Sequence, residues 1–353
     1  MTRIHQNVII NVSGYRRVSI LNIYDIAKKA GVSTATVSRV INGSKSVSVE
    51  TRQKVSAIML ESGYAPNIFA RGLMVNSMKT IGVMTIDVRD LYYARSIHSI
   101  ENEARKLGYN VVLCNTGGDI LEKKKYLKLL LQKRVDGIVL IGSVFKEKAD
   151  NQHITQAAAE VPVVMINGFL EGKNIYSIMC DDSDAVRSAA GYLVENGHRS
   201  IAYIYDVETF SSMEKLGGFK NAIREFSLPD GNDMIIHATC GIEGGYNSVR
   251  QLLKNGAKFT ALIASEDILA AGALKALAEA GIGVPGKISV IGYNNSVIAQ
   301  CTTPALTSID NKVEYISSTA VNLLISAING KETQARTVEM AELIHRESVR
   351  MHR

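Results

Sequence analysis

From Thr80 onward, short apolar runs alternate with stretches of helical periodicity, and no other feature restricts the fold of this chain as much. KTIGVMTI, YNVVLCN, DGIVLIG and PVVMIN form a first series, and IYSIMCD, SIAYIYD, DMIIHAT, FTALIAS and ISVIGYN a second. Each is of strand length and apolar nearly throughout, as strands covered on both faces are. Helical stretches near Ala94–Leu107, Glu122–Gln132, Asp184–Asn196, Met213–Phe226, Gly245–Asn255 and Ile268–Ala280 separate them. Repeated strand–helix–strand units predict parallel sheets with helices on both faces. Two series of them predict two doubly wound subdomains meeting at a cleft lined by the carboxyl ends of their strands, where ligands bind in this architecture. The GIEGG stretch at 241–245 reads as a loop.

The N-terminal part has another character. Asn22 to Gly43, NIYDIAKKAGVSTATVSRVING, reads as two short helices joined by a tight turn. Ile23, Ile26, Ala27 and Ala30 give the first helix an apolar face, and Asn22 is its N-cap. Gly31 ends it, because glycine takes the left-handed backbone of a sharp turn without a Cβ penalty. Ser33 caps the second helix, with Val32 and Val37 at staple spacing. That helix buries Val37, Val40 and Ile41 and turns Thr34, Ala35, Thr36, Ser38 and Arg39 outward, a face suited to a DNA major groove. A third helix, Val49 to Ser62, is capped by Ser48, buries Val55, Ile58 and Met59, and is stopped by Gly63. Beyond Pro66, the segment Asn67 to Leu73 makes only about two helical turns, which are unstable alone in water. It orders only against a partner.

Charge separates the two parts. Residues 1–79 hold eleven Lys or Arg and three Asp or Glu, a net +8, while the whole chain is +6, so the remainder sums to −2. Concentrated basicity beside a helix pair is the electrostatic footprint of a DNA-binding domain, since phosphate neutralisation supplies most non-specific affinity. At 353 residues the chain needs more than one core. No run approaches eighteen apolar residues, so no membrane span is expected. The start, MTRIHQNVIINVSGYRR, lacks the long apolar run and cleavage site of a secretory signal, and a cytoplasmic protein is expected. Cys114, Cys180, Cys240 and Cys301 are widely separated and are read as buried thiols, not as zinc ligands or disulfides.

These residues resemble the lactose-repressor (LacI/GalR) family of bacterial transcription regulators over roughly residues 20–350. IYDIAKKAGVSTATVSRVING resembles the family's DNA-reading signature and YAPNIFARGL its hinge helix; ENEARKLGYNVVLCNT, KRVDGIVLIGS, ENGHRSIAYI, LGGFKNAI and PALTSID resemble its core. The resemblance implies a small all-α helix-turn-helix domain joined by a hinge helix to a periplasmic-binding-protein-like α/β core of two doubly wound parallel-sheet subdomains. It divides the chain into an N-terminal extension (1–21), the DNA-binding domain (22–66), hinge and linker (67–79), a core N-subdomain (80–178 with 310–337) and a core C-subdomain (179–309 with 338–350). Residues 1–19 lie outside the pattern, either as an extension whose Arg3, Arg16 and Arg17 add phosphate contacts or as the product of an upstream start codon.

The same resemblance implies a homodimeric repressor that binds a palindromic double-stranded DNA operator and answers to a small effector. Thr34, Ala35 and Arg39 stand at base-contacting positions, Arg39 suiting a bidentate contact to guanine. Tyr24, Ser33, Thr36, Ser38, Asn42 and Tyr64 stand at phosphate-contacting ones. Leu73 stands where the family wedges a leucine into the minor groove, and Ala70 at the close-packed hinge position. Tyr92, Tyr93, Asn167, Lys215, Asp267 and Asn294 fall at effector-contacting positions. Here the chain departs from the sugar-binding pattern: Lys215 replaces an arginine, Asn294-Asn295 an acidic pair and Asn167 an aspartate, while Glu266 stands where an asparagine is common. The amide-rich set suits a neutral carbohydrate such as a maltose-type oligosaccharide. A sugar phosphate held by Lys215 and control by a partner phosphoprotein are the competing readings.

Two other classes are weighed against this. A periplasmic-type solute-binding protein shares a two-lobed core but needs an export signal and has no use for the basic helix pair. An enzyme on a doubly wound scaffold needs a phosphate-binding loop or a catalytic constellation. KTIGVMTIDVRD carries no Gly-x-Gly-x-x-Gly, and the seven histidines, His98, His198 and His237 among them, show no metal-ligand spacing. No catalytic residue, metal or cofactor is expected.

Overall fold

A computed structural model describes residues 22–41, 44, 46–64, 77–229 and 232–351. The chain forms two compact units, divided between Asn76 and Ser77. In the first unit, α1 (Ile23–Ala30), α2 (Thr34–Ile41) and α3 (Val49–Glu61) close around Ile26, Ala27, Ala30, Val37, Val40 and Val55. Asn22 makes a full capping box: its Oδ1 accepts the amide of Tyr24 at 2.9 Å, while Asp25 Oδ2 accepts the amide of Asn22 at 2.9 Å. Gly31 turns the chain at φ 68°. Helix α3 ends at Glu61, one residue earlier than expected, and Ile41, Ile58 and Met59 are half-buried because three short helices enclose only a small interior.

The second unit begins with β1 (Thr80–Thr85), α4 (Leu91–Lys106), β2 (Asn110–Asn115), α5 (Ile120–Gln132), β3 (Gly137–Ile141), α6 (Gln152–Glu160), β4 (Val163–Ile166) and β5 (Ile175–Cys180). Then come α7 (Asp182–Glu195), β6 (Ile201–Tyr205), α8 (Phe210–Glu225), β7 (Ile235–His237), α9 (Ile242–Lys254), β8 (Ala261–Ala264), α10 (Asp267–Glu279), β9 (Ser289–Tyr293), α11 (Val297–Cys301) and β10 (Thr307–Asp310). Helix α12 (Val313–Ile328), β11 (Arg336–Glu339) and β12 (Glu342–Ile344) complete it.

Two six-stranded sheets result, ordered β11-β5-β4-β3-β1-β2 and β12-β10-β9-β8-β6-β7. The first is parallel throughout; the second is parallel except for β12, which runs antiparallel to β10. That edge was not foreseen. It arises because β11, parallel to β5, ends at the carboxyl edge of the first sheet, and β12 starts only Met340 and Ala341 later, so it enters the second sheet from that edge and runs opposite to β10. Strands β5 and β11 pair from Ser177 with Arg336 to Cys180 with Glu339, so the first lobe's strands run two residues past the boundaries drawn at 178 and 337. Helices α4 and α12 cover one face of the first sheet and α5 and α6 the other; α7 and α8, and α9 and α10, do the same for the second. Each sheet reverses its strand order beside its first strand, β1 between β2 and β3 and β6 between β7 and β8.

The GIEGG reading needs correction. Ile242 to Gly245 form the first turn of α9. The glycines there reflect packing: a Cβ on Gly245 would stand 1.9 Å from the Leu269 carbonyl oxygen of α10, and one on Gly272 of α10 would stand 2.0 Å from that of Ile242. The neighbouring pair in α8 separates the two roles of glycine. A Cβ on Gly218 would lie 2.1 Å from the Ser183 carbonyl oxygen of α7, whereas one on Gly217 meets nothing within 4 Å. We expect Gly218→Ala to destabilise the protein by about 1–3 kcal/mol or more through overpacking. Gly217→Ala is expected to stabilise it by about 0.5–1 kcal/mol through helix propensity. Urea unfolding of the two variants should therefore shift in opposite directions.

Candidate DNA-reading and effector sites

Helix α2 presents the small polar face that its sequence implies. Ala35 and Arg39 are exposed and Thr34, Thr36 and Ser38 half-buried. Ser33 Oγ accepts the Thr36 amide at 3.1 Å and lies 2.9 Å from Thr36 Oγ1, so one cap fixes two of these hydroxyls. Tyr24, at the start of α1, is 72% exposed. Tyr64 is half-buried against the small core, which places its ring partly in packing. Asn42, Ala70 and Leu73 lie outside the described residues.

In the second unit, the carboxyl ends of strands from both lobes enclose a cavity of about 480 Å³. Asp87, Asp90, Tyr92 and Tyr93 follow β1, Ser143 follows β3 and Asn167 follows β4; from the other lobe come Asp206, Ser212 and Lys215 after β6, Glu266 after β8, Asn294 after β9 and Asn311 after β10. One rule of α/β architecture therefore accounts for the wall. Cross-lobe contacts hold it: the Ser211 amide donates to Ser143 Oγ at 3.1 Å, and Arg95 Nη1 donates to the Asn294 carbonyl at 2.7 Å while its Nε and Nη2 bind Glu314 at 2.6 and 2.9 Å.

Lys215 is at the centre. It is 4% exposed, its Nζ donates to the Ser265 carbonyl at 3.0 Å and to Glu266 Oε1 at 3.3 Å, and it lies 3.7 Å from the centroid of the Tyr293 ring. Asp182 accepts from Ser211 and from the Tyr293 hydroxyl, and Glu266 accepts from Asn294 Nδ2. Asn311 Nδ2 in turn donates to Asn294 Oδ1 at 2.8 Å. Burial opposes the Lys215 charge, but Glu266 and Asp182 outweigh it and raise its pKa. Burial lifts Glu266 to about 7 against the pull of Lys215, with Asp206, Asp90 and Asp267 adding to the rise. Burial also raises Asp182 and pushes the Tyr92 hydroxyl well up.

Residues 22–67 match the profile of bacterial regulatory proteins of the lacI family, and residues 190–349 that of the periplasmic binding protein-like domain. An HTH-type transcriptional regulator of Lachnoclostridium phytofermentans is 43% identical over 330 residues, covering 93% of this chain and 99% of that protein. The chain belongs to the lacI family. It is a DNA-binding transcriptional regulator with a helix-turn-helix domain. The HTH-type transcriptional repressor PurR of Pectobacterium atrosepticum is 35% identical over 93% of this chain and 96% of its own. Among solved structures, the Lac repressor dimer bound to operator and the anti-inducer ONPF superposes with a TM-score of 0.83 at 27% identity, over 94% of this chain and 99% of that one. The transcriptional regulator CelR–cellobiose complex superposes with a TM-score of 0.70 at 26% identity, over 93% and 99%.

Within this lacI-family core the expected effector residues divide. Tyr92, Tyr93, Asn167, Lys215 and Asn294 all line the cavity. Asp267 does not, and its expected ligand contact is corrected: it is 2% exposed, and its carboxylate accepts the amide and hydroxyl of Ser296 at 2.7 and 2.8 Å and the hydroxyl of Ser308 at 2.6 Å. Its oxygens are consumed in tying β9 and β10 to α10. Asn167, at φ 54°, turns its Oδ1 to the Cys180 amide at 3.0 Å and bridges the ends of β4 and β5. Asn295 binds Asp310 and Arg346 and stays off the wall. Asp90, Asp182, Asp206, Tyr293 and Asn311 were missed; the signal available was their place at or just beyond a strand's carboxyl end. Cys114 and Cys180 are buried, but Cys240 and Cys301 are exposed, contrary to the reading of four buried thiols. His198 is buried and His98 and His237 are exposed.

The Glu266 shift has a direction that stability measurements can read. The folded state holds this proton to higher pH than the unfolded chain does, so its contribution to stability is full below about 4.5 and is lost as the pH rises through about 7. Core stability is expected to fall from pH 5 to 8, and the uncharged isostere Glu266→Gln to flatten that slope. Parallel denaturation profiles for the two proteins would remove Glu266 as the titrating group.

Proposed function

We propose that the protein is a homodimeric repressor that binds a palindromic operator and is controlled by a carbohydrate held in the interlobe cleft. The observation that carries the effector class is the saturation of Lys215. Among the described residues Lys215 is the one cation that lines the wall, and it is already matched to Glu266 rather than free to hold a sugar phosphate. Carboxylates and amides accept from hydroxyls, and Tyr92 and Tyr93 bring aromatic rings to the wall, which suit the apolar face of a sugar. The cellobiose complex of CelR supports a carbohydrate as the ligand class. The PurR relatives support repression, and the Lac repressor dimer on its operator supports the dimeric arrangement.

In this reading Thr34, Ala35 and Arg39 touch base edges, Tyr24, Ser33, Thr36, Ser38, Asn42 and Tyr64 hold phosphates, and Ala70 and Leu73 act in the minor groove. Selection of duplexes from a random library, followed by fluorescence anisotropy with and without a sugar panel, tests the whole scheme. The selected sites should be palindromic, and one sugar of the panel should change the affinity. Arg39→Ala is expected to lose about 1–3 kcal/mol of preference for the selected site over its scrambled form. An unchanged ratio of the two affinities would remove Arg39 from base recognition.

A further inference from the structure

The cleft carries more negative charge than a neutral carbohydrate uses. Among the described residues, Asp87, Asp90, Asp206 and Glu266 line it against the one ammonium of Lys215. Asp87 is paired with Arg89 at 2.8 Å and Glu266 with Lys215 at 3.3 Å. Among the described residues, no cation pairs with Asp90 or Asp206, which stand on opposite lobes just after β1 and β6. Asp90 caps α4 with one oxygen only: its Oδ1 accepts the amides of Tyr92 at 2.8 Å and Tyr93 at 3.3 Å, leaving Oδ2.

A second observation is independent of these charges. Asn311 is 2% exposed and lines the same cavity, and its Oδ1 has no hydrogen-bond partner among the described residues. That buried acceptor requires a donor. On the same wall the Tyr92 and Tyr93 rings meet edge to face, 5.3 Å apart at 78°. Aromatic rings and carboxylates together attract an organic cation. Covering two carboxylates that lack a cation partner with a neutral ligand strips their water without returning a charge, whereas an ammonium returns a positive charge and three donors.

We propose that the effector is an amino-substituted carbohydrate whose ammonium is held between Asp90 and Asp206. The proposal rests on the reading of this cleft as the effector site and names the chemical class it selects. Calorimetric titration of the full chain with matched pairs tests it: glucosamine against glucose, galactosamine against galactose, and the β-1,4-linked disaccharide of glucosamine against cellobiose, with glucose 6-phosphate as the anionic probe. At least one amine is expected to bind about tenfold or more tightly than its hydroxyl partner, with glucose 6-phosphate weakest. Asp206→Asn keeps the size and removes the charge; it should abolish the amine's advantage over its hydroxyl partner.

Equal or tighter binding of the hydroxyl partner in every pair, absence of binding by all three amines, or a preference that survives Asp206→Asn would each overturn the proposal. Failure of the repressor reading has a different signature. An amine would then bind with its advantage intact and change no operator affinity.

Discussion

A buried ammonium cannot stand without partners, and the architecture of the cleft follows from the need to give Lys215 its own. Removing one member of a buried pair costs about 3–5 kcal/mol, a large share of the roughly 5–15 kcal/mol that holds a whole domain together. Lys215 draws in the Ser265 carbonyl and Glu266 at the end of β8 and the ring of Tyr293 on β9. Tyr293 reaches Asp182 at the start of α7. A single charge thus fixes the relative placement of a helix and two strand ends in the second lobe. Within the resulting cluster the Lys215 ammonium is paired with Glu266.

From that cluster, hydrogen bonds lead across to the other lobe. Glu266 holds Asn294, and the Asn294 carbonyl takes Arg95 of α4, whose guanidinium also grips Glu314 at the start of α12. Helices α4 and α12 pack against each other on the first sheet and share the buried Ser96–Ser317 bond at 2.7 Å. The cleft wall and this helix pair therefore belong to one bonded chain. Glu266 and Asn294 line the cavity and belong to the bonds that join the lobes, which is the physical requirement for a group bound there to bias one arrangement over another.

Much of this was readable because it is local. The N-cap at Asn22, the turn at Gly31 and the Ser33 cap depend on residues within a few positions of one another, and the strand runs are apolar because both faces are covered. Tertiary neighbours misled the reading elsewhere. Gly244 and Gly245 look like a loop in sequence, yet they are helical, and glycine stands there because a Cβ would run into the Thr239 carbonyl oxygen at the first position and the Leu269 carbonyl oxygen of α10 at the second. Cys240 and Cys301 carry no signal of exposure, which depends on what packs over them. Residues 266 and 267 show the limit best: two adjacent acids, one on the cavity wall and one turned into the protein by Ser296 and Ser308.

The sequence alone determined that this chain carries a basic helix-turn-helix unit and two lobes of parallel sheet, since caps, turns, charge and strand–helix alternation all act over short separations. The tertiary structure alone decided which acids go unpaired at the cleft and which are consumed in structure. Pairing joins residues far apart in the chain, such as Asp267 with Ser308 and Arg95 with Glu314, and only the folded distances say which charge meets its partner.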